Sequence, residues 1–232
     1  MSAGNRIYLK RRLPSSAEVE GLREIPAANI ADCMSRICAM DSRIHLLSAP
    51  ERSMCGPALT VHVRAGDNLF FHKALDLAVE GDVIVVSTGG SEVNSMIGEV
   101  IASNAVHKKL GGLVFDAPIR DIDAISKLDF PVYATGTTPG GPFRTGPGGE
   151  INTPIACGNV MVFPGDIVKG DPDGIIVIPR LDASSILAKA RAYAEKDRLT
   201  LEQAKAGTWD RSWIDETLEK IGTEVLDDYY PV

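Results

Sequence analysis

The chain has 232 residues, of which 44% are hydrophobic and 24% charged, and its net charge is −7. That length fits one large domain or two small ones and can bury a core without disulfide or metal staples. The acidic balance argues against general nucleic-acid affinity, which needs a basic surface, and no apolar segment approaches the ~20 residues that span a bilayer.

The N-terminus is locally basic, at Arg6, Lys10, Arg11 and Arg12, but no apolar run follows, so a secretory signal is not expected. Residues 15–40 read as helical, with Ile30, Cys33, Met34 and Ile37 at helical spacing. Residues 58–63 alternate and predict a strand, after which Asn68 is expected to cap a helix over 69–80. Gly81-Asp82 turns into Val83-Ile84-Val85-Val86, an apolar run expected of a strand buried on both faces. Thr88-Gly89-Gly90-Ser91 is a loop, and a helix is predicted after it to about Lys109. A strand over 112–115, a short helix over 122–128 and a strand over 131–134 complete a β-α-β-α-β-α-β order, which implies a mostly parallel or mixed central sheet.

Residues 136–149 hold six glycines and three prolines without periodicity, a long loop of the kind that often serves function. Short strands are expected at 160–162, 166–168 and 174–178, divided by the turn signals Pro164-Gly165-Asp166 and Asp171-Pro172-Asp173-Gly174. A β-rich half thus packs behind the α/β half. Residues 181–228 read as a C-terminal helical extension. The four cysteines, Cys33, Cys38, Cys55 and Cys157, lack metal-ligand spacing and are expected as reduced thiols of a cytoplasmic protein.

Two charged spots stand out. Glu99 falls in the first turn of a predicted helix, where it either complements the helix dipole or points at a metal-bound water, with the amides of Val100 and Ile101 free to hold a carboxylate. Arg120-Asp121 follows the 112–115 strand, and ligands gather at the carboxyl ends of such strands. The pair is either a surface ion pair capping the next helix, or a guanidinium that grips a carboxylate beside a hard oxygen ligand for a divalent cation. Thr88-Gly89-Gly90-Ser91 can cradle an anion or be a plain turn, and it lacks the lysine and spacing of a nucleotide loop. His62, His72 and His107 show no paired spacing and read as structural or solvated. Lys73 and Lys169 are not placed for Schiff-base chemistry.

These pieces in combination, from Gly56-Pro57-Ala58 through Gly66-Asp67-Asn68, Gly98-Glu99, Asn104-Ala105, Arg120-Asp121 and Phe130-Pro131-Val132-Tyr133 to Gly170-Asp171-Pro172-Asp173-Gly174, resemble the class II 4-hydroxy-4-methyl-2-oxoglutarate / 4-carboxy-4-hydroxy-2-oxoadipate aldolases. That family shares a superfamily with the regulator of ribonuclease activity A, and some members carry a methyltransferase-like label. The resemblance covers about residues 25–190. It implies a layered α/β/β fold similar to a phosphohistidine-type swivelling domain, a single aldolase-like domain over 1–232, and a homotrimer or a hexamer of two trimers with sites between subunits. By residue it implies Mg²⁺ or Mn²⁺ at Asp121, Arg120 on the oxo-acid, Glu99 on the metal water, Gly98, Val100 and Ile101 at the pyruvate carboxylate, and Glu195 reaching from a neighbouring subunit. The implied reaction is retro-aldol cleavage of a 4-hydroxy-2-oxo acid to pyruvate, with oxaloacetate decarboxylation through the same enolate. The other reading is a non-catalytic protein that binds a ribonuclease. One departure is Ala124, where many members carry an acidic residue.

Overall fold

The structure, a computed structural model, describes residues 3–144, 146 and 148–229. Its elements in chain order are β1 (Asn5–Ile7), α1 (Ser16–Arg23), α2 (Ala27–Asp32), β2 (His45–Leu46), β3 (Met54–Val63), α3 (Leu69–Leu77), β4 (Val83–Ser87), α4 (Glu99–His107), β5 (Gly112–Asp116), α5 (Ile122–Ile125) and β6 (Val132–Ala134). There follow β7 (Gly149–Ile151), β8 (Ile155–Cys157), β9 (Val160–Val162), β10 (Ile167–Asp171), β11 (Gly174–Ile178), α6 (Ala183–Ala206) and α7 (Trp213–Lys220). Residues 1–193 form one compact unit and 194–232 a second, the boundary falling within α6.

Strands β3, β4, β5 and β6 run parallel in that order, which settles the β-α-β reading of 58–134. Antiparallel β7 and β2 flank them, so the sheet is mixed. The period of two decides the layers. Leu59, Val61, Ile84, Val86, Leu113 and Phe115 face Phe71, Ala74, Ala102, Ala105 and Ile125 of α3, α4 and α5. Ala58, Val83, Val85, Val114 and Tyr133 face the other way, onto Ile155, Cys157, Val162, Val168, Ile175 and Val177 of β8 to β11. The result is the expected helix, sheet and β-layer stack. Strand β3 joins the layers: residues 54–57 pair with β10, and residues 58–62 pair with β4.

The structure departs from the sequence reading at several places. The expected helix over 15–40 is two short helices with Ile25 and Pro26 between them, and Ile37 is 78% exposed. Proline restricts the residue before it and breaks the ladder. Asn68 occupies the N-cap position of α3 but makes no side-chain cap; Asp67 Oδ1 accepts from Leu69 N–H at 2.9 Å instead. Helix α4 begins only at Glu99, so residues 88–98 form no helix. Strands β1, β2, β7 and β8 have no sequence signal of their own. All four cysteines are free thiols.

Candidate active site at the Arg120-Asp121 turn

After β5 the chain runs as Ala117-Pro118-Ile119-Arg120 between two neighbouring segments. On one side Met96 N–H donates to the Pro118 carbonyl and Arg120 N–H to the Ile97 carbonyl, at 2.9 and 3.0 Å. On the other, Ile119 N–H donates to Gly136 and Thr138 N–H to Ile119, both at 2.9 Å. A platform held along both edges carries Arg120 and Asp121 rigidly. The strand-end carboxylate itself, Asp116, is buried and paired with Arg43. Asp121 supplies an accessible acid at this end of the sheet, with its side chain 44% exposed.

Asp121 sits at the start of α5 with φ +60° and ψ +40°, left-handed backbone that costs a non-glycine residue about 1 kcal/mol. Its side chain does not cap α5. It turns back to α4, where Oδ2 accepts from Glu99 N–H at 3.0 Å. The local-cap alternative for Asp121 is thus replaced by a bond across 22 residues of chain. Arg120 Nε lies 3.7 Å from the same carboxylate oxygen. Gly98 makes this closeness sterically allowed, because a Cβ there would overlap Asp121 Oδ2 and lie 3.0 Å from Arg120 Nε.

The amides at the start of α4 are unequal. Glu99 N–H is taken by Asp121 and Ile101 N–H by the Gly98 carbonyl at 3.1 Å, and among the described residues Val100 N–H has no such partner. A cavity of about 250 Å³ opens over this helix end, lined by Gly98, Val100, Ile101, Arg120 and Asp121. The glycine-rich loop closes it through Pro142 and Arg144. That loop is tied down by Phe143 N–H to the Gly66 carbonyl at 2.8 Å and by Ser95 N–H to Gly140 at 2.8 Å. A second cavity, about 370 Å³, meets Arg120 and Asp121 from the side of Thr137 and Thr138. A larger one, about 720 Å³, lies against Arg6, Tyr8, Phe163 and Arg180 and touches none of the candidate site residues.

Sequence reasoning missed Asn68, His72 and Arg144 as cavity residues. The available signal was the four-residue spacing from Asn68, at the N-cap, to His72 in the first turn of α3. Burial first, and then the Arg144 charge, hold His72 below the ordinary imidazole pKa, against an opposing pull from Asp76. Glu195 lies in the second unit, where Arg198 holds both its carboxylate oxygens, at 3.0 and 2.8 Å, and keeps its carboxyl below the usual range.

Among the described residues no three His, Cys, Asp or Glu side chains converge as a metal cage. A single half-exposed carboxylate still suits Mg²⁺ or Mn²⁺, which take hard oxygen ligands and fill their remaining positions with water and substrate oxygens.

The sequence matches the RraA-like family, described as Aldolase/RraA, over residues 27–177. The chain belongs to that family. A Halalkalibacterium halodurans protein named "Putative 4-hydroxy-4-methyl-2-oxoglutarate aldolase" is 38% identical over 186 residues, covering 79% of this chain and 88% of the relative. The crystal structure of Streptomyces coelicolor RraAS2, described as an unusual member of the RNase ES inhibitor RraA protein family, matches with TM-score 0.71 at 26% identity, covering 82% of this chain and 98% of that one. An uncharacterized Pseudomonas syringae protein matches with TM-score 0.73 at 20% identity, over 85% of this chain and 96% of that one, which is a likeness of fold. The Aldolase/RraA match contains Gly98, Glu99, Arg120 and Asp121 and ends before Glu195.

Proposed function

We propose that this member of the Aldolase/RraA family is a divalent-metal-dependent pyruvate aldolase, cleaving a 4-hydroxy-2-oxo acid and also decarboxylating oxaloacetate. One observation carries the reading: Asp121 is drawn off its own helix onto the Glu99 amide, which gathers a carboxylate, a guanidinium and the free Val100 N–H around one cavity. Asp121 is the residue that would hold Mg²⁺ or Mn²⁺. When bound, the cation supplies Lewis-acid polarisation of the 2-oxo group.

The chain's own groups do the rest. Val100 N–H binds the substrate's 1-carboxylate at the positive end of α4. Arg120 donates to the 2-oxo oxygen, where negative charge develops as the C3–C4 bond breaks. Glu99, exposed in the first turn of α4, orders the water that removes the 4-hydroxyl proton. The electron pair of the broken bond becomes a pyruvate enolate, which takes a proton at C3 to give pyruvate. Decarboxylation of oxaloacetate leaves the same enolate. Arg144 adds a second guanidinium for a substrate with a distal carboxylate.

The test is pyruvate release from oxaloacetate and from 4-hydroxy-4-methyl-2-oxoglutarate, with Mg²⁺ and then with EDTA. Release that depends on the metal and disappears in Asp121→Ala is expected. Full activity in Asp121→Ala sinks the assignment. A second reading, a protein-binding regulator of a ribonuclease, is favoured by the likeness to RraAS2; it predicts capture of a ribonuclease and no pyruvate from either substrate.

A further inference from the structure

Resting on the aldolase reading, a further feature of the same cavity concerns the substrate's C4 oxygen. Asn68 is wholly buried, and its Nδ2 donates to the Met96 carbonyl at 3.0 Å. That bond fixes which way the amide faces, since only its nitrogen can donate to a carbonyl. Its Oδ1 is left as a buried acceptor without a partner among the described residues. One turn further, in α3, His72 Nε2 is a second buried atom without a partner among the described residues. The bond from His72 N–H to the Asn68 carbonyl, 3.0 Å, keeps the two residues stacked on one helix face. Both line the cavity shared with Gly98, Val100, Arg120 and Asp121. Buried polar atoms find partners in native proteins, so these two call for one supplied by whatever fills the cavity. Burial and the Arg144 charge disfavour the charged form of the His72 ring, and a neutral imidazole carries a single N–H.

We propose that Asn68 Oδ1 and His72 Nε2 together bind the C4 hydroxyl of the substrate, which donates to the asparagine oxygen and accepts from the imidazole N–H. A carboxylate does not fit between them, because it would meet Asn68 oxygen to oxygen. When the hydroxyl turns its proton from Asn68 to the water ordered by Glu99 and gives it up, the C4 oxygen keeps its bond from His72 and becomes the carbonyl oxygen of the leaving fragment. The pair therefore favours 4-hydroxy-2-oxo acids over oxaloacetate, whose C4 is a carboxylate.

The test compares kcat/KM for 4-hydroxy-4-methyl-2-oxoglutarate with kcat/KM for oxaloacetate in the parent, His72→Leu and His72→Gln. The ratio is expected to fall about tenfold in His72→Leu and to recover in His72→Gln, whose amide restores a donor. Parallel loss of both rates marks His72 as general support of the site and overturns the proposal, as does an unchanged ratio, which leaves only water at these atoms. Should His72→Leu fail to fold, the parent decides: 4-hydroxy-2-oxoglutarate should inhibit oxaloacetate decarboxylation about tenfold more tightly than 2-oxoglutarate. Equal inhibition overturns the proposal. No pyruvate from either substrate in the parent overturns the aldolase reading itself, and this inference with it.

Discussion

Gly98 has ordinary extended backbone, φ −138° and ψ −168°, so alanine there strains no dihedral. Its Cβ would nevertheless displace the Asp121 carboxylate and crowd Arg120. Gly98→Ala should lower kcat/KM at least tenfold while moving the thermal midpoint by no more than about 4 °C, the shift of roughly 1 kcal/mol in a chain of this size; paired kinetics and calorimetry check it. His72 gives a pH signature with a definite sign. Its folded pKa lies below the unfolded value of about 6.5, so the unfolded chain takes the proton first as pH falls. Stability from this group is complete above the unfolded pKa and is lost as pH falls through it toward the lowered folded value. Urea midpoints should therefore decline less steeply on acidification in His72→Gln than in the parent, and equal slopes would clear His72 of the effect. Gly98-Glu99 and Arg120-Asp121 were legible in the chain as motifs. The direction of Asp121 was not, because its hydrogen bond reaches a residue 22 positions back.

At the scale of elements, the apolar run of β4 announced burial on both faces, and the structure buries it between helices and β-layer. Thiol chemistry reads out the same layering. Cys55 on β3 and Cys157 on β8 are buried, and burial pushes the Cys55 thiol up to about 11 and the Cys157 thiol higher still. Cys33 and Cys38 are partly exposed and shifted less. A thiol-disulfide reagent at mildly alkaline pH should label Cys33 and Cys38 in the native protein, and Cys55 and Cys157 only on unfolding; mass spectrometry of the labelled peptides decides. Helix α1 was half legible. Ser15 and Glu18 form a capping box, with Ser15 N–H to Glu18 at 2.8 Å and Glu18 N–H to Ser15 Oγ at 3.2 Å. Its other end depends on distant residues: Lys169 Nζ donates to the Arg23 carbonyl at 2.8 Å, and the Arg23 guanidinium donates to the Ser53 carbonyl at 3.0 Å. The three-residue strands β1 and β7 escaped the sequence reading because they are too short to show a period, and they pair with each other across 144 positions.

At the scale of the whole molecule, the C-terminal unit carries apolar side chains, none of them buried among its described residues. Helix α7 buries none of its residues, and Trp213, Ile221 and Leu226 are exposed. We propose that copies of the chain cover these side chains in the homotrimer or hexamer that the family resemblance implies. Sedimentation equilibrium should return three or six times the 24.8 kDa chain mass, and a monomer would count against sites shared between subunits. Mixing inactive Asp121→Ala with Glu195→Ala should restore part of the activity if Glu195 serves a neighbouring site; no recovery removes it from the machinery. No helix among the described residues is long and apolar enough to cross a membrane.

The layered α/β/β arrangement followed from the family resemblance, while the sequence by itself determined the β-α-β order with a β-rich half behind it, the mostly parallel core from β3 to β6, and the two short motifs at the candidate site. These are properties of local periodicity and composition, which neighbouring residues carry together. Only the tertiary structure decided which α4 amide stays free, that the Asp121 side chain bonds α4 rather than α5, and that Asn68, His72 and Arg144 share a cavity with Arg120. Each of those depends on side chains brought together from separate segments by burial of the sheet faces, and no spacing along the chain encodes the distance between them.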